Sequence, residues 1–222
     1  MKIPFEAVIF DLDGVLADTV DLHYLATKKV ALEEGLPFDR EVNQKLQGMN
    51  RLAVVEQLLK NSKKEYSDVE KQELGERKNV YYKQQISNLT EKDVLPGMKD
   101  FLDQLVKNKV QLAIASSSSN AKTTLSKLNI IDYFDFVVDV AKVKKMKPDP
   151  EIFLQAANEL QVPPERCVAI EDSEAGIKAI MQTEMFSIGI GFSEEVKKAD
   201  WHVISTKEIT FKKLLNQFQF NK

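Results

Sequence analysis

At 222 residues the chain holds enough apolar material for one large domain or two small ones. Its 43% hydrophobic and 29% charged residues describe an ordinary globular protein, and a formal net charge of -3 gives no electrostatic reason to expect nucleic acid or an anionic membrane as partner. A single cysteine, Cys167, excludes an internal disulfide framework, and no apolar stretch approaches a membrane span. With no signal-peptide pattern at the amino terminus, the expected location is the cytoplasm. A monomer is the default expectation.

The first strand is predicted over Phe5–Phe10, an apolar run that ends abruptly in Asp11-Leu12-Asp13-Gly14-Val15. Residues two apart on an extended chain share a face, so the two carboxylates would sit close and repel each other. Buried and unpaired they would be costly, and a divalent cation or a shared proton offsets that cost. Turn chemistry at Asp13-Gly14 is the competing explanation for this tetrad taken alone.

Residues 19–89 read as helical only: Thr19 to Glu34, Arg51 to Lys60, and a charged stretch from Ser67 to about Ile86. Such a block between the first strand and the next strand–helix unit reads as a separate cap, leaving residues 1–18 and 90–222 as an α/β core. An amphipathic helix follows, with Met98, Phe101, Leu102, Leu105 and Val106 at helical spacing. Further strands are predicted at Leu112–Ala115, Phe136–Val138, Cys167–Ile170 and Met185–Ile188, with a helix starting near Pro150. Short, continuously apolar strands alternating with helices indicate a doubly wound parallel sheet, whose ligand site lies at the carboxyl ends of the strands.

Polar residues collect at those ends. Ser116 follows the second strand, Lys147-Pro148 precedes a helix, and Glu171-Asp172 follows the fourth strand. Singly, each has a plain explanation: Ser119 or Asn120 as a helix cap, Asp172 or Ser173 as another, Lys147 as a solvated loop residue. Together they place acidic residues suited to Mg²⁺, a hydroxyl and an ammonium around one edge, which is a setting for phosphoryl transfer through an aspartyl-phosphate.

On Asp11-Leu12-Asp13-Gly14-Val15, Ser116, Lys147-Pro148-Asp149-Pro150 and Glu171-Asp172-Ser173 with Ala175-Gly176-Ile177, the chain resembles the haloacid dehalogenase superfamily over essentially its whole length. The resemblance implies that superfamily's Rossmann-like α/β core with an inserted α-helical cap. It also implies Asp11 as nucleophile, Asp13 as general acid/base, and Ser116 and Lys147 on the transferring phosphoryl group. Mg²⁺ would be held by Asp11, the backbone carbonyl of Asp13, and Asp172, with Glu171 near it.

The helical insert is similar to that of the superfamily's hexose-phosphate mutases. His23, Gly48-Met49-Asn50-Arg51, the Arg77-Lys78-Asn79 run and Ser118-Ser119-Asn120 match their substrate contacts. This implies conversion of β-D-glucose 1-phosphate to glucose 6-phosphate, with glucose 1,6-bisphosphate as activating intermediate and a small sugar phosphate as the only partner. Gln47 stands where that group usually has Lys, and Thr27 where a Trp is usual. Both departures favour the alternative, a sugar-phosphate phosphatase on the same scaffold.

Overall fold

The structure, a computed structural model, describes residues 3–60 and 62–220. Six parallel strands form one sheet: β1 (Ala7–Phe10), β2 (Gln111–Ile114), β3 (Phe136–Val137), β4 (Cys167–Glu171), β5 (Phe186–Ile190) and β6 (Trp201–Val203). Their spatial order is β3-β2-β1-β4-β5-β6. The chain winds outward from β1 in one direction, then returns to β4 on the other side of it. The carboxyl end of β1 is therefore the topological switch point, where a parallel sheet opens a crevice.

Both faces of the sheet are covered, which explains the unbroken apolar strands. Val8 and Phe10 of β1, Leu112 and Ile114 of β2, and Val168 and Ile170 of β4 pack with α5 (Met98–Lys107), α6 (Ala121–Lys127) and α9 (Phe211–Phe220). The alternate residues Ala7, Ile9, Ala113, Cys167 and Ala169 face α7 (Glu151–Glu159) and α8 (Glu174–Ile180). Small side chains predominate on that second face, letting the helices approach closely. Each fully buried Phe or Leu contributes on the order of 2 kcal/mol. Cys167, buried in β4, is a member of this core.

Between β1 and α5 lie α1 (Val20–Glu33), α2 (Arg40–Leu46), α3 (Arg51–Leu59) and α4 (Asp68–Ile86). They bury their own clusters, one built on Val30, Val55, Leu58 and Leu74, another on Ala26, Tyr82 and Ile86. The two connections to the sheet are tied to each other: Ala17 bridges Val94, and Leu95 N–H donates to the Leu16 carbonyl. Among the described residues no helix is long and apolar enough to cross a membrane.

Several elements differ from the sequence-based expectation. Helix α2 is short and polar, and β6 is a three-residue strand with His202 at its centre, so neither carries enough periodicity to be read. Helix α9 was also not anticipated, although Phe211, Leu214, Leu215 and Phe218 carry helical spacing. The fifth strand runs two residues further than expected, and Val106 is exposed beyond the end of the α5 stripe.

Candidate active site

Strand β1 stops at Phe10, so a compact turn, not strand alternation, sets the aspartate pair. The Leu12 carbonyl accepts from Leu16 and Ala17 N–H at 2.9 and 3.1 Å, and Gly14 N–H donates to the Ala17 carbonyl at 2.9 Å. Leu12 is fully buried and anchors the turn in the core. Gly14 has φ +83°, and a Cβ there would lie 2.1 Å from Asp172 Oδ2, so only glycine fits.

Register aligns the strand ends. Phe10 pairs with Ile114 on one side and Ile170 on the other, which puts Asp11, Ala115 and Glu171 at one level. Lys147 reaches the same point from the loop before α7. Its buried ammonium donates to Asp11 Oδ1 at 2.5 Å and Glu171 Oε2 at 2.7 Å. The other oxygen of Glu171 accepts from Asp172 N–H, Ser173 N–H and Ser173 Oγ. Glu171 is thus fully engaged, and its carboxylate orients Lys147. Ser173 Oγ also accepts from Gly176 N–H and so caps α8, as one of the plain readings anticipated.

Asp11, Glu171 and Asp172 each offer an oxygen within 4.8 Å of the others. Burial pushes the Asp11 carboxyl up to about 7; Lys147 opposes this, while Glu171 and Asp13 add to it. Asp172 is raised well above the carboxylate range by desolvation and by its neighbours Glu171, Asp11 and Asp13. Lys147 stays an ammonium despite burial, raised by the two carboxylates. Burial and mutual repulsion lie behind both carboxyl shifts: fully ionised, the three carboxylates would carry more negative charge than one ammonium balances. Asp11 and Asp172, with Glu171 beside them, offer convergent oxygens that fit a hard divalent cation such as Mg²⁺.

Asp13 faces the helical insert instead. Its Oδ1 accepts from Thr19 Oγ1 at 2.5 Å and Tyr82 Oη at 3.2 Å, and its Oδ2 lies 3.4 Å from His23 Nε2. The His23 ring stacks on Tyr82 with centroids 3.9 Å apart. Burial would raise this carboxyl, but His23, Thr19 and Tyr82 together hold it below its ordinary value. Tyr82 and Thr19 were not among the residues singled out by sequence. Tyr82 lies four residues after Lys78 on one helix, so its place on the same face was readable.

A cavity of about 670 Å³ is lined by Asp11, Asp13 and Asp172 at the sheet edge and by Arg51, Ser119 and Asn120. His23, Gly48, Met49, Asn50, Lys78 and Ser118 also line it, and so do Thr27 and Gln47. Ser116 and Lys147 are buried and are not among the residues that line it. Asn50 caps α3 by accepting from Ala53 N–H, which starts that helix at Arg51. Asn120 makes no cap of its own; its amide donates to Asn79 of α4. Lys78 is buried, and burial with repulsion from Arg51 lowers its ammonium to about 8, against the pull of Asp13. Arg77 points away from the cavity and pairs with Glu33 and Glu34 on the outer surface of the insert.

Comparison with known proteins agrees with this architecture. The family profile described as haloacid dehalogenase-like hydrolase matches residues 8–190. A β-phosphoglucomutase from Bacillus subtilis is 44% identical over 216 residues, 96% of each chain. A phosphorylated carbohydrates phosphatase from Thermotoga maritima is 34% identical over 78% of this chain and 79% of its own. The crystal structure of a β-phosphoglucomutase from Clostridium difficile superposes with a TM-score of 0.94 at 40% identity, covering 97% of this chain and 98% of that one. The chain belongs to the haloacid dehalogenase-like hydrolase family and is an enzyme.

Proposed function

We propose that the protein is a β-phosphoglucomutase, interconverting β-D-glucose 1-phosphate and glucose 6-phosphate through glucose 1,6-bisphosphate. The observation that carries this reading is the single cavity lined both by the nucleophile with its acidic cluster and by a second polar group, Arg51, Ser119 and Asn120. A sugar bearing two phosphoryl groups needs both groups at once. Near-complete alignment with two β-phosphoglucomutases supports it.

In this reading Asp11 attacks the phosphorus of a bound phosphoryl group and becomes the aspartyl-phosphate. Ser116 and the Lys147 ammonium hold the transferring oxygens, and Glu171 keeps Lys147 aimed. Asp13 takes the proton from the sugar hydroxyl that accepts the phosphoryl group and returns a proton to the hydroxyl freed in the reverse transfer. Asp11, the Asp13 carbonyl and Asp172, with Glu171 beside them, would hold Mg²⁺, which when bound offsets the charge on the phosphoryl oxygens. Residues 19–89 act as a cap over residues 1–18 and 90–222, with His23, Lys78 and the Gly48–Arg51 loop touching the sugar phosphate. Ser118, Ser119 and Asn120 contact the phosphate that is not reacting, and Arg51 grips it. Closure of this cap keeps water from phospho-Asp11. One buried cysteine suits a reducing cytoplasm.

A second reading, hydrolysis of sugar phosphates by water attacking phospho-Asp11, is favoured by Thr27 and Gln47. Both line the cavity and offer no ammonium or indole to grip a sugar phosphate. The test separates the two. The protein is incubated with Mg²⁺, a trace of glucose 1,6-bisphosphate and either anomer of glucose 1-phosphate, and glucose 6-phosphate and free phosphate are measured separately. Glucose 6-phosphate from the β anomer is the expected product; phosphate release without it overturns the mutase reading.

A further inference from the structure

A closed ring of side chains lines one part of the cavity. Arg51 donates from Nη1 to Glu76 of α4 and from Nη2 to Ser119 Oγ at 2.6 Å. Glu76 Oε2 accepts from Asn79 Nδ2 at 3.3 Å, and Asn79 Oδ1 accepts from Asn120 Nδ2 at 2.9 Å. Ser119 and Asn120 are consecutive, so these five residues join α3, α4 and the segment before α6. The seat for Arg51 is built into α4. A Cβ at Gly75 would lie 3.3 Å from Arg51 Cδ, so glycine in mid-helix leaves room for the arginine stem.

One member of the ring has the wrong charge for a phosphate site. Among the described residues lining the cavity, Glu76 is the one carboxylate besides Asp11, Asp13 and Asp172. A phosphoryl dianion on Arg51 would stand beside it and be repelled. The Glu76 side chain is 66% exposed and that of Arg51 28%, so the carboxylate can leave for solvent while the guanidinium stays seated.

We propose that Glu76 is a positioning residue acting as a placeholder anion. It holds Arg51 in place and the ring shut when no phosphate is present, and the non-reacting phosphoryl group displaces it. This rests on the reading of Arg51 as the contact for that phosphate. The exchange has a use in a mutase: a bisphosphate must leave Arg51 to turn round, and recapture of Arg51 by Glu76 lowers the cost of letting go.

The test is Glu76→Gln in the full chain with Mg²⁺. Calorimetric Kd for glucose 6-phosphate should fall about fivefold, the scale of one partly exposed ion pair. Hydrolysis of p-nitrophenyl phosphate, which has no second phosphate, should stay within about twofold of the parent. Without ligand, backbone hydrogen exchange at residues 117–120 should quicken, and Glu76→Asp should behave like the parent in all three measurements. An unchanged or weaker Kd with unchanged exchange overturns the proposal, as does an equal loss of aryl phosphate hydrolysis. If the parent binds no glucose 6-phosphate, the sugar-phosphate reading falls instead, and the exchange rates still decide whether Glu76 holds the ring shut.

Discussion

The Tyr82 hydroxyl donates to Asp13 Oδ1 at 3.2 Å, tying helix α4 of the insert to the turn that follows β1. The proposed proton-transfer group is thereby held from the insert side, together with Thr19 and His23. Any movement of α4 relative to the sheet is felt at this carboxylate.

Tyr82→Phe removes that donor while the ring can still stack on His23. Asp13 is held below its ordinary value in the folded state, so its stabilising contribution is present above about pH 4 and lost as pH falls through the folded value. Losing one donor raises the folded value and shrinks the contribution. The variant should be about 1 kcal/mol less stable at neutral pH, with the gap closing in acid, and the acid limb of its kcat/KM profile should move to higher pH. Urea titrations at several pH values and a pH–rate profile measure both; an unmoved acid limb would detach Tyr82 from Asp13 chemistry.

Arg51→Ala should lower sugar-phosphate turnover about 100-fold, the scale expected when a charge-assisted phosphate contact is lost, and leave aryl phosphate hydrolysis nearly intact. Steady-state kinetics on both substrates make the comparison. Equal losses on the two would take Arg51 out of the non-reacting phosphate site.

Lys147→Met leaves Asp11 and Glu171 buried with no ammonium between them. Breaking a buried ion pair from one side costs roughly 3 kcal/mol or more, so the variant should unfold at markedly lower urea. Added Mg²⁺ should recover part of the loss, because it brings positive charge to the same carboxylates. A variant as stable as the parent would mean that the cluster is already neutral without Lys147.

Metal and pH should be coupled in the parent protein. Asp11 and Asp172 are raised in the folded state, so the metal-free fold keeps protons that the unfolded chain has released above about pH 4. The Asp11 contribution is complete below that value and is lost as pH rises through about 7, its folded value, and Asp172 acts in the same direction. Mg²⁺ competes with those protons, so the rise in Tm on adding it should grow between about pH 5 and about pH 8. Thermal unfolding with Mg²⁺ or a chelator measures this, and a pH-independent rise would argue against Asp11 and Asp172 as its ligands.

Much of this was legible because it is local. Apolar runs and the polar residues that end them mark strands and strand ends within a few positions, so Asp11, Asp13, Ser116, Lys147, Glu171 and Asp172 could be collected before any fold was seen. The helical spacing of Met98 to Leu105 was legible for the same reason. Helix α4 was harder: its buried face includes Gly75, Lys78, Asn79 and Tyr82, because much of that face meets a cavity and not a core, and hydrophobic periodicity is silent there.

The sequence by itself determined which carboxylates, hydroxyl and ammonium stand at the strand ends and the class of fold, since both follow from residue types at short spacing. Only the tertiary structure decided that Asp13 is held by Thr19, His23 and Tyr82, that Glu171 orients Lys147, and that Glu76 occupies Arg51. The partners of Asp13 and Arg51 are set by how α1, α3 and α4 pack across the sheet edge, and that of Lys147 by the loop before α7 meeting the end of β4. Side chains 25 residues apart, such as Arg51 and Glu76, or 69 apart, such as Asp13 and Tyr82, leave no mark of their pairing in local pattern.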